Sequence, residues 1–208
     1  MPAIQKKRKR AKHRRTYLLG ALILVVIAAV GWYLSAQSVA DARVVYAKIN
    51  TSQGLIEVEL FQSATPKTVT NFVNLARSGF YDNLVWHRIV SGFVIQTGDP
   101  NTRNGGGDRS LWGTGGSSQT VPLEIDSSLH NYVGYLGMAR SQDPNSGSSQ
   151  FYINLADNSA SLDGKYTVFG KVISGMDVAF AIGNVPVNAQ SQPISPVFVT
   201  SVTISSSP

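Results

Sequence analysis

The chain has 208 residues, a formal net charge of +6 and no cysteine. Without cysteine, disulfides, thiolate catalysis and cysteine-ligated metals are excluded. Residues 1–15 hold eight Lys or Arg and no acid, while the rest holds ten Lys or Arg against twelve Asp or Glu. The basic character therefore belongs to a tail. A nucleic-acid surface needs basic residues spread over a folded face, and the remainder of this chain is slightly acidic, so no nucleic-acid partner is expected.

In chain order, residues 1–16 form the basic tail. Tyr17–Leu34 follows as eighteen residues without a charge, rich in Leu, Ile, Val and Ala. That is close to the roughly 20 apolar residues needed to cross a bilayer. A transmembrane signal-anchor is expected over 17–36, with the basic flank cytoplasmic and the rest of the chain beyond the membrane. The competing reading is a secretory signal peptide cleaved after Ser38-Val39-Ala40, although such apolar cores usually run about 7–15 residues. A mostly polar linker covers 37–43, and the folded domain covers 44–206.

The domain opens with two β-rich runs, Val44–Ile49 and Leu55–Leu60, joined at Thr51-Ser52-Gln53-Gly54 as a hairpin. In the second run Ile56, Val58 and Leu60 alternate with Leu55, Glu57 and Glu59, the period of a strand with one buried face. Thr65-Pro66 starts a helix, with Thr65 as the capping residue. Val69, Phe72, Val73, Leu75 and Ala76 form its apolar stripe, and Gly79 ends it. Strands follow at Trp86–Val90 and Phe93–Thr97. Residues 100–119, rich in Gly, Ser, Asn and Thr, form a long loop of the kind that often carries function. Further strands are expected at Tyr132–Ala139, Gln150–Asn154, Tyr166–Val172 and Val197–Ile204, with a short helix at Met176–Ile182. Many strands and few helices point to a β-barrel or sandwich.

Several familiar motifs fail. The glycines of 104–107 and 113–116 lack the Lys-Ser/Thr ending of a phosphate loop. His13, His87 and His130 do not pair at ligand spacing, so no zinc site is indicated. Asp143–Gly147 lacks the bidentate Glu of a calcium loop, and no nucleophile elbow is present.

Three stretches do carry a signature. Residues 86–99 read Trp-His-Arg-Ile-Val-Ser-Gly-Phe-Val-Ile-Gln-Thr-Gly-Asp, residues 147–155 Gly-Ser-Ser-Gln-Phe-Tyr-Ile-Asn-Leu, and residues 162–171 Leu-Asp-Gly-Lys-Tyr-Thr-Val-Phe-Gly-Lys. In that order they resemble the motifs of cyclophilin-type peptidyl-prolyl cis-trans isomerases, here of a bacterial-like, membrane-anchored kind, from about Val45 to Ile204. The resemblance implies a mainly β fold: an eight-stranded closed antiparallel barrel capped by two helices. It implies isomerisation of X-Pro bonds in proline-containing polypeptides, with no cofactor and no metal; together with the N-terminal segment, this points to the folding of exported proteins. It places Arg88 as the catalytic arginine. Phe93, Val94, Tyr152 and Leu162 line the proline pocket, and Gln96 and Gln150 stand beside the substrate. Ala139 and Arg140 pair with the peptide backbone, and Tyr166 sits at the pocket rim. The alternative on the same fold is a non-catalytic proline-binding chaperone module. A monomer is expected.

Each residue also has a plainer reading. Arg88 alone would be a strand arginine in a surface ion pair, Phe93 and Tyr152 core aromatics, and His87 a structural residue. The chain also departs from the family. Ser161 replaces a common tryptophan, which bears on binding of the family's cyclic peptide inhibitor. Val94 replaces a methionine, and Arg140 replaces an asparagine and adds charge that favours acidic peptides. The Gln142-Asp143 region is about one residue longer.

Overall fold

The computed structural model describes residues 25–31 and 44–208. Residues 25–31 are helical and form part of a unit separate from residues 44–208. Among the described residues no helix is long and apolar enough to cross a membrane. The basic tail 1–16, most of the expected span 17–36 and the whole of the linker 37–43 lie outside the described residues.

The domain is built on nine antiparallel strands: β1 Val45–Thr51, β2 Gly54–Leu60, β3 Leu84–Val85, β4 Arg88–Val90, β5 Val94–Thr97, β6 Tyr135–Met138, β7 Phe151–Asn154, β8 Val168–Ser174 and β9 Phe198–Ser205. They form one sheet in the order β3-β9-β1-β2-β8-β6-β7-β5-β4. The hairpin expected at Thr51–Gly54 is present, with Thr51 paired to Gly54 across its tip. Ile56, Val58 and Leu60 face the core as their alternation required. On the opposite face Lys48 and Lys171 reach Glu57 and Glu59 across the ladder, each at 3.1 Å. Directly opposed ions of this kind contribute a few tenths of a kcal/mol, up to about 1.

Nine strands correct the expected eight, and the closure differs too. The two sheet edges are β3 and β4, only two residues apart in sequence. The run that reads as one strand from Trp86 breaks at Trp86-His87. Before the break the chain pairs with β9, and after it with β5. The ladder is therefore open between its edge strands, and the chain itself joins them through Trp86-His87.

Helix α1 spans Pro66–Arg77, α2 Ser159–Leu162 and α3 Met176–Gly183. The end of α1 follows the glycine rule. Gly79 adopts φ +70°, its N–H donates to Ala76, and the Phe80 N–H donates to Leu75, a Schellman closure. Its start does not follow the expected capping. Thr65 makes no side-chain cap, because its hydroxyl donates back to the Phe61 carbonyl at 3.2 Å. Glu124 caps the helix instead, accepting the N–H groups of Lys67 (3.1 Å) and Thr68 (2.8 Å) and the Thr68 hydroxyl (2.8 Å).

Phe72 on α1 anchors the core. Its ring centroid lies 5.2, 5.4 and 5.5 Å from those of Tyr81, Phe151 and Phe169. All four residues are fully buried. The loop after β5 contains two 3-10 turns, Pro100–Gly105 and Arg109–Leu111.

Candidate active site

The strand register assembles the site. Arg88 on β4 opposes Gln96 on β5, Gln96 opposes Tyr152 on β7, and Tyr152 opposes Gly137 on β6. Directly opposed residues share a face, so these four stand in one row across four strands. The neighbouring row, Ile89, Ile95, Ile153 and Leu136, faces the other way and is buried at 0–2% exposure. Hydrophobic packing of that inner row thus fixes which side chains the outer row displays.

A chain of hydrogen bonds leaves this row at Gln96 for Gln150, just before β7. Arg88 Nη1 donates to Gln96 Oε1 at 3.4 Å, and Gln96 Nε2 donates to Gln150 Oε1 at 2.9 Å. Gln150 Nε2 in turn donates to the carbonyls of Gly113 (3.0 Å) and Gly115 (2.6 Å). The buried Asp99 carboxylate holds that glycine segment by accepting N–H bonds from Asn101, Gly113 and Gly115. The Arg88 guanidinium lies 5.7 Å from the Phe93 ring centroid. Both ends of each amide are committed, so Gln96 presents its oxygen to the guanidinium.

A second cluster adjoins it. Tyr152 is almost fully buried and meets Tyr166 edge to face at 5.9 Å. Its hydroxyl donates to Asn131 Oδ1 at 2.8 Å. Burial is the largest influence on its phenol and pushes it far above the ordinary tyrosine range. Asn131 is itself fixed, its Nδ2 and main-chain N–H both donating to Asp163. Burial pushes the Asp163 carboxyl up. Hydrogen bonds from Asn131 and His130 outweigh that effect and leave it below the ordinary range. Arg140 stacks on Tyr166 at 4.8 Å.

Of the expected site residues, Arg88, Phe93, Gln96 and Gln150 come together in the first cluster, and Tyr152, Tyr166 and Arg140 in the second. Val94 is buried opposite Asn154, on the same face of β5 as Gln96. Leu162 closes α2, half-buried, just before Tyr166. The Ala139 N–H is committed to the Gln150 carbonyl at 2.9 Å. The Arg140 main-chain N–H and carbonyl have no partner among the described residues, so Arg140 supplies the open backbone edge. His87 is buried against Gly113, and among the described residues neither ring nitrogen has a hydrogen-bond partner. Burial, the largest influence, pulls its pKa down to about 4 against the opposing charge of Asp99. A neutral, enclosed ring fits the structural reading of His87.

Sequence reasoning missed Asp99, Asn131 and Gly137. Asp99 closes the first motif and was within reach of inspection. Asn131 and Gly137 depend on strand pairing, and nothing local marks them.

A cyclophilin type peptidyl-prolyl cis-trans isomerase family model matches residues 46–204. The chain belongs to this family. Among its curated relatives is peptidyl-prolyl cis-trans isomerase ppi1 of Schizosaccharomyces pombe, 42% identical over 151 residues, which are 72% of this chain and 92% of the relative. Peptidyl-prolyl cis-trans isomerase-like 1 of Aspergillus oryzae is 43% identical over 149 residues, covering 71% of this chain and 88% of the relative. A crystal structure of a cyclophilin type isomerase from Cryptosporidium parvum superposes with a TM-score of 0.71 at 33% identity, over 79% of this chain and 99% of that one. The protein is thus a cyclophilin-type peptidyl-prolyl cis-trans isomerase, and the row from Arg88 to Tyr152 is the place in its fold to seek the reaction.

Proposed function

We propose that Arg88 catalyses rotation about X-Pro bonds held against Phe93, Val94, Tyr152 and Leu162, with Gln96, Gln150 and the 139–140 edge orienting the peptide. The observation that carries this reading is the hydrogen-bonded series Arg88–Gln96–Gln150 beside the aromatic wall of Tyr152 and Tyr166.

The chemistry asks for little else. Peptide resonance sets a barrier of about 18–20 kcal/mol, and uncatalysed isomerisation takes about tens of seconds. Reaching milliseconds requires about 10⁴-fold, or roughly 5.5 kcal/mol. In the twisted state the proline nitrogen loses conjugation and gains a lone pair. A guanidinium N–H aimed there stabilises the twisted state more than either planar one, which is the condition for catalysis. Arg88 supplies that donor, and its bond to Gln96 biases the guanidinium toward the peptide before the reaction. An apolar wall holds the ring while the chain rotates. No nucleophile or proton transfer is needed.

The proposal extends to place and clients. The basic tail and the apolar run Tyr17–Leu34 support a single-pass anchor with the N-terminus cytoplasmic and the monomeric domain outside, acting on exported proteins close to the membrane. Exchange between cis and trans signals of an Ala-Pro peptide, followed by NMR with a catalytic amount of protein, tests the activity. Acceleration supports the isomerase. Peptide shift changes without acceleration would leave the proline-binding module. Alkaline extraction of membranes tests the anchor, and release of an N-terminally shortened chain into the soluble fraction would refute it.

A further inference from the structure

We infer that the cleft adjoining Arg88 selects peptides with an anionic side chain, a carboxylate or a phosphate, flanking the proline, and that Arg140 is the residue that determines this preference. The inference rests on the peptide-binding reading above and narrows its substrate class.

The described domain is acidic overall, with nine Lys or Arg against eleven Asp or Glu over residues 44–208. The cleft has the opposite character. It is about 330 Å³ in volume, and Gln96, Gln150, Thr114, Ser148 and Arg140 are among the residues lining it. Among the described residues no Asp or Glu lines it, and Arg140 is its one full charge. Gln96 and Gln150 belong both to this wall and to the series that reaches Arg88. A peptide with its proline at Arg88 therefore carries a flanking residue past Arg140.

Arg140 is held in place for that encounter. Nε donates to the Lys165 carbonyl at 2.9 Å, and Nη1 donates to the Ser141 and Gln142 carbonyls at 2.8 and 3.3 Å. The plane rests on the Tyr166 ring. A guanidinium has five N–H donors in a fixed fork. Three are engaged, and the two on Nη2 have no partner among the described residues. The Ser148 hydroxyl also makes no hydrogen bond among the described residues. The other hydroxyls of the cleft are committed: Thr114 to Leu111, and Ser141 and Ser146 to each other and to Asp143. The nearby acid Asp143 does not line the cleft, and its carboxylate accepts the Asn145 N–H. Among the side chains of the cleft, what remains unsatisfied is a charged fork and a hydroxyl, a donor set complementary to an oxyanion. Because the fork is already ordered, little conformational freedom is lost on binding.

The test uses the full-length chain in non-ionic detergent and a set of Xaa-Pro peptides. Each carries Glu, Gln, phosphoserine, Ser or Lys at a position on either side of the proline. Kd is read from NMR shift titrations and kcat/KM from exchange spectra. At low salt we expect Glu or phosphoserine to lower Kd and raise kcat/KM by about tenfold over Gln or Ser, equivalent to about 1.4 kcal/mol. Raising salt to about 0.5 M should shrink the ratio, because partly exposed charges are screened within about 8 Å already at physiological ionic strength. Arg140→Gln should bring the ratio to about one, and Arg140→Lys should restore part of it. A preference confined to phosphoserine would name phosphate as the source of the anion, and an equal one would name charge alone. Ratios within twofold for both Glu over Gln and phosphoserine over Ser in the wild type, or a preference that survives Arg140→Gln, overturn the inference. Should Arg140→Gln not fold, Arg140→Lys and the wild-type salt series decide it. If neutral peptides are accelerated without preference, only this inference falls. If Glu peptides bind preferentially and none is accelerated, it stands and the catalytic reading falls.

Discussion

Replacing Gly137 with alanine probes how the core and the site are joined. Gly137 opposes Tyr152 in the ladder, and the tyrosine ring lies across it. A Cβ at this position would fall 2.6 Å from Tyr152 Cε2 and closer still to Cζ and Oη. Neither strand can yield, because Leu136 and Ile153 beside the pair are fully buried in the core. The ring must therefore swing away. Overpacking costs about 1–3 kcal/mol. Losing the bond from the Tyr152 hydroxyl to Asn131 leaves that buried acceptor with only the longer bond from Asn154 Nδ2 at 3.3 Å, at a further cost of about 0.5–1.5 kcal/mol. We expect Gly137→Ala to lose about 1.5–4.5 kcal/mol in urea unfolding, and kcat/KM to fall about 10–100-fold in the exchange assay because the proline wall has moved. Tyr152→Ala in the same chain should make the second substitution much less costly than in the wild type, a coupling expected of residues in contact. A Gly137→Ala protein with wild-type stability and activity, or full additivity with Tyr152→Ala, would refute the reasoning.

Glu124→Ala removes the remote cap of α1 and should cost about 1–2 kcal/mol, lowering Tm by about 2–8 °C for a domain of this size, as read by circular dichroism. Burial holds the His87 pKa at about 4, below its unfolded value near 6.5. The unfolded chain binds more protons between these values, so stability is full above pH 6.5 and falls as pH drops toward 4, by about 3 kcal/mol in all. His87→Phe should flatten urea stability over that window, and an unchanged slope would contradict it.

Much of the fold was legible because its signals are local. The alternation of Ile56, Val58 and Leu60 against Glu57 and Glu59 named the buried face of β2, and Gly79 marked the end of α1. Features that depend on distant partners were not legible. Thr65 has the right type and position for a cap, but Phe61 offers its hydroxyl a nearer acceptor and Glu124 arrives from 56 residues beyond Thr68. Trp86–Val90 has the composition of one strand. It breaks because its two ends serve opposite edges of a curled sheet, a requirement no local pattern encodes. Within the site, Arg88, Gln96 and Gln150 were identified by motif. The row that aligns Arg88 with Gln96, Tyr152 and Gly137 exists only through the pairing of β4, β5, β7 and β6.

The most direct measurement is kcat/KM for cis–trans exchange of an Ala-Pro peptide by the wild type and by Arg88→Ala, both shown to be folded. If the Arg88 guanidinium stabilises the twisted amide, its removal should reduce kcat/KM by about 10²–10³, as expected on removing one oriented donor to developing charge, with peptide Kd changed far less. A folded Arg88→Ala protein that retains wild-type exchange would show that the arginine does not carry the reaction.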